Sequence, residues 1–277
     1  IMPNPFYQIY EGAALLAGAT PYFCSSFEKD NYQQDFDSIS PQTWEETELI
    51  YVCSPGNPTG ISLSDDQYIK LIELAHKHDF CIVSDECYSE IYLDNQNKPN
   101  SLLAVSEEMG NKNYEKCVVF HSLSKRSNLP GLRSGFVAGD ADLIKPYLLY
   151  RTYHGCAMAG HVQEISSAAW SDEVHVINNR KLYMEKFDLV EKILKGSYQF
   201  KRPQGGFYHW LKTPQGDEKF CRNLIEQYNV KAMPGSFLSR PDRGSDPGKN
   251  HVRIAWVGDK ENCQEAACRL TDFAKQF

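Results

Sequence analysis

The chain lacks three things, and each absence removes a class of function. No apolar stretch approaches the roughly 20 residues needed to span a bilayer, and no signal-peptide pattern opens the sequence. No basic block or Lys/Arg-rich run occurs and the net charge is −7, which argues against nucleic acid and membrane surfaces as partners. None of the nine cysteines, an odd number, forms a CxxC pair, so a zinc site has no spacing to support it and no metal is expected. Reduced, buried thiols in a cytoplasmic protein are the economical reading, with Cys53, Cys81 and Cys117 in core strands. Internal repeats and low-complexity tracts are also absent. What is present is a globular composition: 277 residues, 42% hydrophobic and 12% aromatic, enough for one large or two modest domains.

Apolar, β-branched runs ending in turn residues organise the first half. LIYVCS (49–54) ends in the turn PGNPTG (55–60), and FCIVSDECYSEIY (80–92) begins apolar and then presents Asp85, Glu86 and Tyr88. Between them SDDQYIKLIELAHKH reads as a helix. Ser64 and Gln67 form a capping box, with acids in the first turn and His76, Lys77 and His78 in the last. Strand, capped helix and strand make a βαβ unit, so the two strands are expected to be parallel.

The stretch SLSKRSNLPGLR (122–133) carries the most chemistry. Lys125 sits in a small-residue loop punctuated by Gly and Pro, after the run CVVFHS and before GFVAG. Open α/β sheets place their chemistry at strand ends. A lysine there, with hydroxyls at Ser122 and Ser124 and a guanidinium at Arg133, suits a Schiff base beside a bound phosphate. Further on, DAD (140–142) opens a helix through LLYRTY, and a long helix from about Asp172 stops at Gly196. QGGFYHWLK and HVRIAWV read as strands, FCRNLIEQY and the stretch from Asp259 as helices, and SRPDRGSDPGKN (239–250) as a polar loop, mobile and lying over the site.

PGNPTG, SDECYSEIY, SLSKRSNLPGLRSGF and VRIAW, in this order over the whole chain, resemble the class I/II group of fold-type I, pyridoxal-phosphate (PLP) dependent aminotransferases. Within that group NPFYQIYEGA, SLSKRSNLPGLRSGFVAGDA and LLYRTYHG are similar to the N-succinyldiaminopimelate aminotransferases of bacterial lysine biosynthesis. The resemblance implies an α/β fold with a mainly parallel sheet flanked by helices and a smaller C-terminal α+β domain. It divides the chain into a PLP-binding domain over 1–174 and a linking helix with the small domain over 175–277.

The resemblance also assigns residues. Lys125 matches the lysine that bonds to PLP and moves the substrate's α-proton, and Asp85 the carboxylate that keeps the pyridine nitrogen protonated. Asn57 and Tyr88 match donors to the ring's phenolic oxygen, Ser122 and Arg133 phosphate ligands, and Tyr7 the aromatic stacked on the ring. Arg253 matches the arginine that grips the substrate α-carboxylate. Singly, most have an ordinary structural use: Asn57 in its turn, Tyr7 and Tyr88 in a core, Asp85 as a cap. For distal carboxylates of a succinylated substrate, Arg126 and Arg151 are the candidate cations, with Tyr153 and His154 beside Arg151.

The chain opens on IMPNPFY, part-way into the large domain of that family. A first strand, a phosphate-binding loop and a tyrosine contributed across the subunit interface have no counterpart in the sequence, which implies an N-terminally truncated chain with an uncovered strand edge. The implied function is amino transfer between glutamate/2-oxoglutarate and N-succinyl-2-amino-6-oxopimelate, by a homodimer acting on small-molecule amino and 2-oxo acids. The alternatives are an aminotransferase for acetylornithine, aspartate or an aromatic amino acid, and a non-catalytic PLP-binding regulator.

Overall fold

Short apolar runs become strands here because helices cover them. The computed structural model describes residues 1–277. Its first elements are β1 (Met2–Asn4), α1 (Gln8–Leu16), β2 (Phe23–Ser25), α2 (Pro41–Glu45) and β3 (Leu49–Cys53). There follow α3 (Asp65–His78), β4 (Cys81–Asp85), α4 (Leu102–Glu108), β5 (Cys117–Ser122), α5 (Leu123–Arg126) and β6 (Gly135–Gly139). The second half contains α6 (Ala141–His154), α7 (Gly160–Ser171), α8 (Val174–Leu194), β7 (Tyr208–Lys212), α9 (Asp217–Tyr228), β8 (Met233–Pro234), β9 (His251–Ala255) and α10 (Lys260–Ala274).

The central sheet runs β3-β4-β5-β6, and β3, β4 and β5 are parallel, as the βαβ pattern requires. β6 returns antiparallel, its outer edge unpaired by any strand. β1 pairs in parallel with β2 and touches β3 at its start, where Tyr51 N donates to Ile1 O at 2.9 Å. In α3 the capping box between Ser64 and Gln67 is formed in both directions. The helix ends at Asp79, in the left-handed conformation (φ 62°). Ile50, Val52, Tyr68, Leu71, Ile82 and Val119 form one buried cluster under α3 and α4.

A second cluster joins α8 to a three-stranded antiparallel sheet of order β7-β9-β8 and to α9 and α10. Phe187, Leu194, Phe220, Trp256 and Phe273 are all buried to 1% exposure or less, and Ile91 and Leu93 join from the first half. Truncating one such aromatic to alanine costs about 3–5 kcal/mol. α6 differs from every other long helix: it has no buried residue, and Leu148 (64%) and Tyr153 (76%) stand exposed.

Two expectations change. Lys125 lies in a helical turn, α5, and not in an irregular loop, because the Ser122 hydroxyl caps the turn by accepting from Ser124 N at 3.1 Å. The polar loop 239–250, expected to lie free over the site, is held to the start of the chain. Arg240 pairs with Glu11 through Nε (2.8 Å) and Nη2 (2.5 Å), its backbone exchanges bonds with Asn4, and Ser25 Oγ donates to Asp242 at 2.7 Å. No helix is long and apolar enough to cross a membrane.

Candidate active site

Three strand ends and one strand of the second sheet converge. The register sets Cys53 of β3 opposite Asp85 of β4, and Asp85 opposite Phe120 of β5, two residues before Ser122. Asn57 follows β3 in the turn 55–60. Gly60 (φ +71°) closes that turn, and any Cβ there would fall 2.3 Å from Pro203. Its carbonyl accepts from Gln204 N and Gly205 N at 2.9 and 3.1 Å, so the turn is fastened to the segment that leads into β7. That fastening brings Asn57 to Arg253, whose Nη1 donates to Asn57 Oδ1 at 2.7 Å.

Arg253 stands apart from the other arginines withdrawn from solvent. Arg126, Arg180, Arg202 and Arg240 each pair with a carboxylate. Arg253 has no carboxylate partner; its guanidinium carbon lies 5.3 Å from the Tyr208 ring centre. A charge held this way is costly to desolvate without a counter-ion. It can receive a carboxylate from outside the protein.

Lys125 Nζ lies 5.5 Å from the ring centre of Tyr88, which is buried and packs edge-on against Tyr208 at 5.4 Å. Asp85 is half-buried. Its Oδ2 accepts from the Tyr10 hydroxyl at 2.6 Å and its Oδ1 from Cys87 N at 3.1 Å. Burial, then the neighbouring Cys53 and Asp85, pushes the Tyr10 phenol well above its ordinary range, so the proton stays on Tyr10. Burial raises the Cys53 and Cys87 thiols in the same way, next to Asp85. Tyr7 is 39% exposed and packs edge-on against Tyr10 at 5.8 Å.

The remaining candidates lie further out. Ser122 Oγ donates to Ser134 O at 3.3 Å, beside Arg133, which is exposed, left-handed (φ 51°) and bonded through Nη1 to Pro130 O at 2.8 Å. Arg151 is exposed near the end of α6, folded against Gly155, and makes no side-chain hydrogen bond. Arg126 is not available to a ligand. It is buried, pairs with Glu173, donates to Ala169 O at 3.0 Å and stacks on Trp170, which corrects its reading as a distal cation.

Sequence reasoning missed Tyr10 and Tyr208. Tyr10 follows Tyr7 by three residues, one helical turn later, so a shared face was available as a signal. Tyr208 offered only its place after the Gly-Gly pair, since Tyr88 and Arg253, which it meets, are more than 40 residues away.

The profile described as Aminotransferase class I and II matches residues 1–270. The LL-diaminopimelate aminotransferase of Aquifex aeolicus is 31% identical over 98% of this chain and 68% of its own length. It is named for diaminopimelate itself, not for the N-succinylated form that the sequence resemblance implied. Among solved structures, an aminotransferase from Neisseria meningitidis superposes with a TM-score of 0.91 at 49% identity, covering 98% of this chain and 69% of that one. The aminotransferase AspB from Helicobacter pylori gives 0.90 at 36% identity, covering 100% and 70%.

Proposed function

Because this chain belongs to the class I and II aminotransferases, we propose that it exchanges an amino group between glutamate/2-oxoglutarate and the keto form of a diaminopimelate, free or N-succinylated. The enzyme is a PLP-dependent transaminase acting on amino and 2-oxo acids. The observation that carries the reading is Arg253, a half-buried guanidinium held by an amide and left without a carboxylate.

The residues present fit PLP: an amine at Lys125, a carboxylate at Asp85 already oriented by two donors, an amide and a phenol at Asn57 and Tyr88, and a hydroxyl and a guanidinium at Ser122 and Arg133. When bound, PLP supplies an aldehyde carbon that amines can condense with and a protonated ring that withdraws electrons. In our reading Lys125 Nζ holds the cofactor and then carries the α-proton. Asp85, with the Tyr10 hydroxyl on Oδ2, accepts the ring N–H and keeps it protonated. Asn57 and Tyr88 would donate to the phenolic oxygen, Tyr7 would pack against the ring, and Ser122 and Arg133 would hold the phosphate. Arg253 offers its free N–H groups to the α-carboxylate while Asn57 fixes its plane.

The division into a cofactor domain (1–174) and a small domain (175–277) is part of the proposal, as are assembly as a homodimer and a cytoplasmic site of action. Arg151 is assigned to the distal carboxylate. Its exposure limits the effect of Arg151→Ala to about 0.2–1 kcal/mol in the apparent affinity for the diaminopimelate. An unchanged KM for both diaminopimelate forms removes that assignment.

Visible absorbance of the PLP-loaded protein tests the whole. Glutamate is expected to convert the absorbance to that of the aminated cofactor, and 2-oxoglutarate to restore it. LL-diaminopimelate and its N-succinyl derivative are then compared as amino donors. If neither serves while another amino acid does, the substrate is replaced and the transaminase stands.

A further inference from the structure

Tyr208 is buried to 1% exposure, and its hydroxyl is sealed from solvent without a hydrogen-bond partner. A buried O–H left unpaired costs about 1–3 kcal/mol, so its surroundings decide what it does. In the β7–β9 register Tyr208 stands opposite Ala255 and Trp210 opposite Arg253, which sets Tyr208 diagonally beside Arg253 on one face. The Tyr88 ring meets it edge-on at 69°. Tyr88 is itself 7% exposed, but its hydroxyl is not among the sealed atoms, and its ring lies 5.5 Å from Lys125 Nζ.

We propose that Tyr208 is a positioning residue: once the cofactor is bound, its O–H donates to the Tyr88 hydroxyl oxygen and so turns the Tyr88 proton outward, toward the ligand oxygen. The inference rests on the assignment of Tyr88 to the cofactor's phenolic oxygen. A phenol has one proton. Once its oxygen accepts from Tyr208, that proton is free to point only into the cleft, and the donated bond polarises it into a stronger donor.

No formed bond joins the two hydroxyls as they stand, since the Tyr208 oxygen has no partner. The direction comes from burial: the Tyr208 hydroxyl is sealed and can pair only within the protein, whereas the Tyr88 hydroxyl is not sealed. Burial raises the Tyr88 phenol, and Tyr208 acting as donor draws it back. Burial and then Tyr88 raise the Tyr208 phenol as well. The charged and titratable groups facing the pair are Cys53 from β3, Asp85 from β4, Lys125 from α5 and Arg253 from β9.

A donor to the phenolic oxygen spreads its negative charge and lowers the pH midpoint at which bound PLP changes absorbance. Tyr88→Phe should raise that midpoint most. Tyr208→Phe keeps the ring and its packing, and should raise the midpoint by about half a pH unit, the scale of one modest hydrogen bond. The double variant should match Tyr88→Phe alone, because Tyr208 acts through Tyr88. With PLP bound, Tyr208→Phe should lower the Tm by about 2–4 °C.

The proposal is overturned if Tyr208→Phe leaves the midpoint in place while Tyr88→Phe moves it. It is equally overturned if the two shifts add in full, or if Tyr208→Phe raises the Tm of the PLP-loaded protein, as removal of an orphaned hydroxyl would. If Tyr88→Phe moves nothing, the Tyr88 assignment itself fails and takes the inference with it.

Discussion

The two candidate anion-binding arginines, Arg253 and Arg133, are built in differently. At the Arg253 end the guanidinium is fixed before any ligand arrives, by Asn57 at 2.7 Å and the Tyr208 face at 5.3 Å, inside a wall made by β7 and β9. At the Arg133 end the guanidinium is exposed and bonded only to a carbonyl three residues back. One end is preorganised and the other is shaped by what binds there. The difference follows from the chain's contacts: the 55–60 turn is fastened by Gly60 to the lead-in of β7, whereas the 127–134 segment follows a four-residue helix beside an unpaired sheet edge. Preorganisation lowers the cost of ordering on binding, so the two ends should respond differently to mutation.

The largest effect belongs to the residue between the ends. Lys125→Ala removes the amine proposed to hold PLP, and glutamate-dependent turnover should fall to background. Substantial residual transamination in a coupled assay would break the assignment. Next comes Arg253→Ala, expected to weaken amino acid binding by about 2–5 kcal/mol while leaving PLP affinity nearly unchanged. Arg133→Ala should do the reverse, costing about 1.5–3 kcal/mol in PLP affinity with little effect on the substrate's KM. Equal effects of the two substitutions on both ligands would erase the contrast.

A smaller test uses pH. His209, on the opposite face of β7 from the cleft, lies 3.1 Å from Glu191 through Nε2, and its Nδ1 accepts from Trp256 Nε1 at 2.8 Å. Burial lowers its proton affinity below the ordinary histidine value, against the pull of Glu191. The unfolded chain therefore binds the His209 proton more readily. Its contribution to stability is complete above about pH 6.5 and is lost as pH falls below it. Hydrogen-exchange protection of β7 and β9 should drop there more than that of β5. Equal losses in the two sheets would show that His209 does not set the acid limit of the Arg253 end.

Much of this was legible in the sequence because the motifs are local. PGNPTG, SDECYSEIY and the Lys125 stretch each sit at one strand end, so strand periodicity and turn chemistry were enough to line them up, and the parallel pairing of β3 with β4 followed from the capped helix between them. Contacts between distant segments were not legible. Tyr10 reaches Asp85 across 75 residues, and Arg240 ties the loop 239–250 to Glu11 across 229. Arg126 was misread for the same reason: adjacency to Lys125 suggested the cleft, but its side chain leaves on the other side of the turn, toward Trp170 and Glu173. Where Lys125 was expected in a loop, Ser122 had already supplied the cap for a helical turn.

The central claim is that Lys125 is the amine that holds PLP. Borohydride reduction of the PLP-loaded protein, followed by peptide mapping by mass spectrometry, tests it without any assumption about substrate. One reduced pyridoxyl adduct is expected, on the peptide containing Lys125, with its loss in Lys125→Ala. An adduct on another lysine, with Lys125 unmodified, would contradict it.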